Sequence, residues 1–429
     1  MFEVNDPIDS TVVVGLAGVL AEAPLADDPV DQVDEIRALE TLVCAAQARQ
    51  QRLTTAYAES RDDPRSVAAE VALARRESPH RGRQHLGLAL VAGELPHTMA
   101  AFRAGRVTEW RVMNVARETA CLSLEDRAEV DRAIAADPDA FEACSDREVL
   151  GRLRSLAARL DPASVAERRR RAESGRGVTI RPAPDTMVYL TALLPVADGV
   201  AAYAALCAEA DRARAAGDPR GRGQVMADAL VARVTGCAAD DAGRPVVPVA
   251  IGVVMSDRTL LAGAHDPAGL VDHGPIPADL ARELVLRNLD AHQRTWVRRL
   301  YARPGTGELV AMDSRRRVFP RALASFVRLR DQWCRRPWCN APIRHTDHVV
   351  RAASGGPTSA ADGQGLCESC NYTKESPGWH HQPRPGPDRH AVDITTPTGH
   401  EYRSTSPPLL ASPRPAFRQV APGRWVLGA

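Results

Sequence analysis

The sequence contains almost no lysine and no long apolar run. Lys374 is its single lysine, so nearly all of the 55 basic residues are arginine. The early apolar run at residues 11–20 is too short to cross a bilayer. It follows acidic residues rather than the basic region that opens a secretory signal, so we expect neither export nor membrane insertion. We therefore expect a cytoplasmic protein with no membrane partner.

The charge balance excludes a polycationic protein. The formal net charge is +1 over 429 residues, with an isoelectric point near 7.7, so the chain as a whole is no polycation. Residues 303–351, however, hold eleven arginines against Glu308, Asp313, Asp331 and Asp347. A local basic excess of this kind suits a polyanionic partner such as nucleic acid. The alternative is an ordinary solvated basic face.

Helical periodicity is strongest in residues 1–172, which we predict to be a helical domain of six to eight helices. Apolar residues recur at helical spacing from Val33 to Cys44 and again from Ser66 to Arg75. The predicted helix breaks and starts lie at Pro79, Pro96, Pro138 and the capping box Ser145–Glu148.

The composition changes at about residue 173, and residues 173–310 are predicted to form an α+β middle region. This region contains neither a glycine-rich phosphate loop nor a nucleophile elbow, so its sequence points to no particular chemistry. The predicted elements are strands at Val178–Arg181, Met187–Leu193, Val246–Val254 and Thr259–Leu261, and helices at Asp198–Ala216, Gly221–Thr235 and from Pro277 onward.

Four of the nine cysteines form two close pairs near the C-terminal end of the sequence. Cys334 and Cys339 make one pair, and Cys367 and Cys370 make the other. Each pair can offer both thiolates from one tight turn, as tetrahedral zinc sites require. Ligation by all four would leave no open position on the metal, so we predict a zinc ion with a structural role.

Two other interpretations of these cysteines remain open. A disulfide is one, although disulfides are rare in a reducing cytoplasm. An iron–sulfur cluster is the other, although such clusters usually use tighter cysteine spacing. The remaining cysteines stand singly and are predicted to be buried thiols: Cys44, Cys121, Cys144, Cys207 and Cys237.

Polar residues of a second kind surround the cysteine pairs. They occur as Asp347-His348-Val349, then Gly355-Gly356-Pro357-Thr358, then Cys367-x2-Cys370-Asn371-x2-Lys374. Over roughly fifty residues these motifs resemble the HNH endonuclease family in its zinc-binding four-cysteine variant. More loosely, the whole chain resembles actinobacterial proteins in which a helical domain of unknown function precedes an HNH nuclease module.

The resemblance implies a fold and an activity. The fold is a ββα-metal module at residues 311–380, within which a helix at Phe319–Arg330 leads into the cysteine segment. A proline-rich tail follows at residues 381–429. Short β pieces are predicted within that tail at Ala391–Thr395 and Trp425–Leu427. The activity is metal-dependent hydrolysis of DNA phosphodiester bonds.

The resemblance also assigns roles to individual residues by their position in the motif. His348 would be the general base, since a neutral imidazole can take a proton from water near neutral pH. Asp347 and Asn371 would bind a catalytic divalent ion, expected to be Mg²⁺ because it prefers oxygen ligands. Lys374, one helical turn after Asn371, would approach the scissile phosphate. For His345, on the same strand, a DNA contact and a structural role remain equally open.

One position departs from the family pattern. The central signature asparagine is replaced by Asp362, whose carboxylate cannot donate the hydrogen bond that an amide would give to fix the catalytic loop. Asp362 can still accept hydrogen bonds from backbone amides.

Taken together, these patterns predict a multidomain chain with a mainly α-helical N-terminal region, an α+β middle region and a C-terminal ββα-metal (HNH) module with a structural four-cysteine zinc site. The predicted function is a metal-dependent HNH-type DNA endonuclease. The alternatives are a zinc-anchored DNA-binding or mobile-element-associated protein with a decayed nuclease centre, and a nuclease acting on RNA or damaged DNA.

Overall fold

The computed structural model describes residues 8–236, 252–256, 259–260, 263–270, 274–290, 319–384, 389–408, 417–421 and 424–427. The chain divides into two units. The first comprises Met1–Ser60 with His85–Val165, and the second comprises Arg61–Gln84 with Ala166–Ala429. Residues 61–84, which fall inside the predicted helical domain at residues 1–172, thus group with the C-terminal half of the chain.

Helices fill the N-terminal region, as the periodicity predicts. Nine of them lie within residues 29–174, all of which are described, so the expectation of six to eight was too low. Short helices such as the six-residue α8 are too close to their neighbours for periodicity alone to separate them. The helices are α1 (Ser10–Glu22), α2 (Pro29–Glu59), α3 (Pro64–Ala74), α4 (Pro79–Val91), α5 (Pro96–Arg103), α6 (Glu109–Thr119), α7 (Leu124–Ala135), α8 (Pro138–Ala143), α9 (Asp146–Leu160) and α10 (Pro162–Ser174).

Local capping explains where several of these helices begin. Asp28, Asp63 and Asp137 each precede a proline, and each carboxylate accepts a hydrogen bond from a backbone N–H of the first turn. Proline suits the first helical position because its missing N–H has no partner there anyway. Ser145 and Glu148 form the predicted capping box, with the Glu148 carboxylate 2.8 Å from the Ser145 backbone nitrogen.

The first unit has one apolar core, contributed mainly by α2, α5, α6, α7 and α9. Within this core, the buried carboxylate of Asp131 caps the start of α5. Leu95 precedes α5 and has no capping side chain, but Asp131 from α7 accepts hydrogen bonds from the backbone nitrogens of His97 and Thr98 at 2.8 and 2.9 Å. The fully buried side chains of this core include Leu88, Leu95, Phe102, Phe141 and Leu153.

The middle region contains both helices and strands, as predicted. One predicted strand is wrong, because Thr259 and Leu260 are helical, with the Leu260 nitrogen donating to the Ser256 carbonyl. Most of the predicted strand at Val246–Val254 lies outside the described residues, and so does Cys237. The elements are β1 (Gly177–Pro182), β2 (Val188–Leu193), α11 (Val196–Ala215), α12 (Arg222–Thr235), β3 (Val253–Val254), β4 (Ala268–Leu270), β5 (Gly274–Ile276) and α13 (Ala278–Asp290).

The C-terminal part of the second unit is built from short strands and two helices. Strands β6 and β7 pair antiparallel, β8, β9 and β10 form a three-stranded sheet, and β11 pairs with β12. Both predicted β pieces of the tail are therefore strands. The elements are α14 (Arg321–Asp331), β6 (His345–His348), β7 (Gly363–Leu366), α15 (Glu368–Lys374), β8 (His380–Arg384), β9 (Ala391–Thr395), β10 (Glu401–Thr405), β11 (Phe417–Ala421) and β12 (Arg424–Leu427).

Close backbone approach fixes β7 against its neighbours. A Cβ atom at Gly363 would lie 2.9 Å from the side chains of Phe319 and Val327, and one at Gly365 would lie 2.4 Å from Ile343. Glycine at both positions therefore lets α14 and the loop before β6 lie directly on the strand.

Helix α3 packs into the C-terminal part of the second unit. Ala69 and Leu73 share a buried core with Val349, Trp379 and Ile394. Among the helices of the described ranges, none combines the length and apolar character that crossing a membrane requires.

Candidate metal-binding and catalytic site

The four paired cysteines meet at one point. All four side chains are buried, and the four sulfur atoms lie within 4.8 Å of one another. The Cys339 sulfur is 3.8 Å from that of Cys367 and 3.7 Å from that of Cys370. These separations exceed a disulfide bond length and are close to the edge of about 3.8 Å expected when Zn–S bonds are about 2.3 Å. The cluster is therefore a possible four-thiolate metal site.

Backbone hydrogen bonds hold the two cysteine pairs together. The Cys334 nitrogen donates to the Ala341 carbonyl at 3.1 Å, closing the loop of the first pair. The Arg335 nitrogen donates to the Gly365 carbonyl at 2.9 Å, which ties that loop to β7 just before the second pair. Hydrogen bonds from the other three thiols lower the pKa of Cys367, so the cluster favours thiolate there.

Strands β6 and β7 carry the polar residues next to this cluster. In their antiparallel register Asp347 lies opposite Gln364 and His348 lies opposite Gly363. Side chains alternate between the faces of a strand, and Asp347 and His348 indeed contact different neighbours. Neighbouring side chains of a regular strand can serve one site only where the strand ends or distorts, and β6 ends at His348.

His348 is buried and held by two contacts. Its Nε2 atom is 2.8 Å from the Thr358 hydroxyl, and its ring centroid is 4.7 Å from that of Phe319. Within the described part of the chain, no hydrogen bond involves its Nδ1 atom. The imidazole is thus fixed in orientation through one nitrogen only.

Asp347 and Lys374 form an ion pair. The Lys374 ammonium is 2.6 Å from Asp347 Oδ2 and 3.1 Å from Glu375 Oε1. Its side chain is buried, whereas the Asp347 side chain is 27% exposed. Lys374, which was expected to approach a phosphate, therefore pairs with Asp347, the carboxylate expected to bind a metal. The contact uses Oδ2 of Asp347 and leaves its other oxygen outside the pair.

Asn371 lies one helical turn before Lys374 on α15. Its side-chain oxygen Oδ1 is buried, and no donor among the described residues reaches it. Buried amide oxygens almost always have a partner, so an orphan of this kind suggests a missing ligand. Amide and carboxylate oxygens are the donors that Mg²⁺ prefers, so Asn371 and Asp347 each offer a donor atom of a suitable type.

Asp362 lies in the loop between β6 and β7 and is almost fully buried. Its Oδ1 accepts a hydrogen bond from the Val350 backbone nitrogen at 3.0 Å, the acceptor role that its carboxylate allows. Its Oδ2 has no partner among the described residues. Burial raises the pKa of Asp362, while the Val350 amide and the charges of His348 and Lys374 lower it, which places these side chains in one cluster.

Comparison with known proteins assigns the larger part of the chain to a family. A family model described as a domain of unknown function, DUF222, matches residues 33–331. The chain belongs to the DUF222 family. No curated protein and no solved structure matches it.

The DUF222 match ends three residues before Cys334, so the four-cysteine cluster and the polar residues around it lie beyond it. Helix α3, however, lies inside the match and inside the same unit as these residues. The DUF222 region therefore takes part in building the C-terminal part of the chain.

Several arginines of the predicted basic stretch are structural. Arg330 is buried; it pairs with Asp331 at 2.7 Å and also donates to the backbone carbonyls of Ala360 and Gly363. Burial alone would raise the pKa of Asp331, but Arg330 outweighs it and the pKa is lowered. The Asp331 carboxylate also accepts from the Gly365 nitrogen at 2.7 Å, so this pair fixes β7 to α14. Residues 303–318 of the stretch lie outside the described residues.

Two further residues near the site were missed by the sequence reasoning. Gln364 is fully buried, and its amide donates to the His348 carbonyl at 3.1 Å. Burial and the nearby charge of Lys374 lower the pKa of His381 to about 3, and its Nδ1 lies 3.4 Å from Gln364. Neither residue belongs to a recognisable motif, so only their contacts identify them.

Replacing Asp362 by asparagine should stabilise the second unit. The amide keeps the acceptor for Val350 and removes the charge from a site where burial raises the pKa, a gain of about 1 kcal/mol at neutral pH. A raised folded pKa means that the carboxyl destabilises the fold progressively as pH rises above its unfolded value of about 3.9. The melting temperatures of wild type and Asp362→Asn should therefore diverge as pH rises.

Asp393→Asn is the matched control. Hydrogen bonding and charge from Arg403 lower the pKa of Asp393, so the same chemical change there should give no stabilisation at neutral pH. Charge burial at Asp362 would be ruled out if the melting temperatures of wild type and Asp362→Asn were equal, or if their difference did not change with pH.

Proposed function

We propose that the chain is a metal-dependent HNH-type DNA endonuclease whose C-terminal part carries a structural zinc and a separate catalytic centre. The proposal rests on the motif resemblance and on the cluster that Asp347, His348 and Lys374 form near Asp362. Asn371 lies one helical turn before Lys374. DUF222 domains are often associated with HNH proteins, which supports the same assignment.

The observation that carries the proposal is the buried and unpartnered Oδ1 of Asn371. It lies on α15, one helical turn before Lys374, whose ammonium pairs with the other candidate ligand, Asp347. A purely structural asparagine would be expected to bond its side-chain oxygen to the protein.

His348 is the proposed general base. With the Nε2 proton donated to the Thr358 hydroxyl, Nδ1 is the basic nitrogen and takes a proton from the attacking water. Thr358 and the Phe319 ring position the imidazole, as an orienting partner must for a base to act in one direction.

Asp347, Asn371 and Lys374 form the proposed electrostatic part of the site. A divalent ion such as Mg²⁺, held by Asp347 and Asn371, would stabilise negative charge on the phosphate oxygens during hydrolysis. Lys374 is a positioning residue in this scheme, because its buried ammonium fixes the Asp347 carboxylate rather than the phosphate.

The zinc that we assign to Cys334, Cys339, Cys367 and Cys370 has no catalytic role. Four thiolates leave no open coordination position for water or phosphate. Cys367 also caps α15, accepting a hydrogen bond from the Cys370 nitrogen, so the metal would fix the start of the helix that carries Asn371.

A DNA-binding protein with an inactive centre is the second candidate. The observation in its favour is that Asp347 already has a buried cationic partner in Lys374, while Asp362 brings a further carboxylate close to the site. In that case the fold would still bind DNA, but the phosphodiester bond would remain intact.

Plasmid nicking separates the two candidates. Full-length protein purified without chelators is incubated with supercoiled plasmid, with and without millimolar Mg²⁺. We expect open-circular product only with added Mg²⁺, at a rate proportional to protein concentration. Retarded but uncut plasmid under the same conditions would support the binding protein and contradict the nuclease.

A further inference from the structure

Helix α3 is bound to the C-terminal part of the second unit by specific polar contacts as well as by the shared core. The Trp379 indole donates to the Ser66 hydroxyl at 2.9 Å, and the Thr398 hydroxyl donates to Glu70 at 2.7 Å. The Arg336 guanidinium donates to the Ala69 carbonyl at 3.3 Å. These contacts fix α3 in one position beside the candidate site.

Two arginines of this N-terminal segment consequently lie against α15. The guanidinium carbon of Arg65, on α3, is 5.6 Å from the ring centroid of Tyr372. The Arg83 guanidinium, on α4, donates to the Ser369 hydroxyl at 2.9 Å. Both arginines are exposed, and the Tyr372 side chain is 46% exposed.

The helical geometry of α15 relates these arginines to the candidate metal ligand. Ser369 and Tyr372 are three residues apart and share one face of the helix. At about 100° per residue, Asn371 follows Tyr372 around the helix and lies between that face and Lys374. A nucleic-acid strand whose phosphate lies at Asn371 would continue across the face where Arg65 and Arg83 lie.

The local charges favour an anionic partner. Neither arginine forms a salt bridge with a carboxylate among the described residues, although Asp63 acts electrostatically on Arg65. Glu375 already pairs with Lys374 and Arg351. Glu368 is the exposed acidic residue next to Ser369 and opposes binding of a phosphate there.

We propose that Arg65 and Arg83 bind phosphates of duplex DNA next to the bond that is cut, so that the α3–α4 corner of the DUF222 region forms part of the substrate-binding surface. The inference rests on the proposed endonuclease function. It assigns a role to a segment far from α15 in the sequence, since Arg83 and Ser369 are 286 residues apart, and the motif at residues 347–374 does not include this segment.

The test measures binding of the full chain to a fluorescent 30-base-pair duplex in buffer without added divalent cation, over a series of salt concentrations. The variants are Arg65→Gln, Arg83→Gln and the double variant. Arg403→Gln is the matched control, since Arg403 is an exposed arginine of the same unit that pairs with Asp393 at 2.8 Å. Glu368→Gln tests the opposite sign.

We expect the double variant to bind about tenfold more weakly at 0.15 M salt and to lose about two units from the slope of log affinity against log salt. Arg403→Gln should match the wild type, and Glu368→Gln should bind more tightly. Unchanged melting temperature and zinc content in the double variant would exclude a folding defect.

Two results would overturn the inference, and they differ from failure of the proposed function. If the double variant keeps the wild-type affinity and slope while the wild type binds and nicks DNA, the α3–α4 corner does not contact the substrate. If the wild type binds no duplex at any salt concentration, the endonuclease proposal fails and the inference fails with it.

Discussion

Cys367→Ser should remove the bound metal and unfold the C-terminal part of the second unit. Structural zinc contributes about 10–16 kcal/mol in small zinc-binding peptides, which equals or exceeds a domain's net stability of about 5–15 kcal/mol. The cluster gathers two thiols from the loop at Cys334–Cys339 and two from the start of α15, and the short elements around it bury little apolar surface of their own. Wild-type protein should contain about one zinc per chain, and the variant should contain none.

The control for this change is Cys207→Ser, a single cysteine on α11 of the same unit. Calorimetry should show one transition lost in Cys367→Ser, with the helical signal of the first unit preserved, and no such loss in Cys207→Ser. The zinc assignment would be excluded if wild-type protein, purified without chelators, carried no metal and melted at the same temperature as the Cys367→Ser variant.

His348→Ala should lower the rate of DNA cleavage by about two to four orders of magnitude, the usual contribution of a positioned general base. DNA affinity should stay close to that of the wild type, because His348 is buried and the role proposed for it lies in the chemical step rather than in binding. Nicking rates under single-turnover conditions, with affinities measured in parallel, separate the two effects.

His400→Ala is the matched control for this second change. His400 is exposed beside β10, where it hydrogen-bonds to Thr398. Thr358→Val, which removes the orienting hydroxyl but keeps the side-chain shape, should give an intermediate loss of rate. Cleavage by His348→Ala at the wild-type rate would refute the assignment of the base.

The features that sequence reasoning found are those with local signals. The capping box at Ser145 and Glu148 and the aspartate–proline helix starts lie within a few residues of the bonds they make, so their chemistry is readable without a fold. The cysteine cluster was also predictable, because the spacing of each pair already fits a shared metal.

The features that it missed depend on contacts between distant segments. Arg330 and Asp331 look like ordinary surface charges in sequence, and only the packing of α14 on β7 buries them. Similarly, nothing in Ser66-Val-Ala-Ala-Glu70 predicts a partner more than 300 residues away. Thr259 and Leu260 have strand-like composition, but their surroundings in the fold make them helical.

The contact between Ser66 and Trp379 spans 313 residues and has a consequence for biosynthesis. At about 5–20 residues per second, a ribosome needs roughly 15–60 s to make the chain between the two partners. During that time α3 has emerged but lacks the surface that buries it, so a chaperone would have its best opportunity to bind there. A chain that ends before residue 334 would lack the surface that α3 packs against and, with it, the four clustered cysteines.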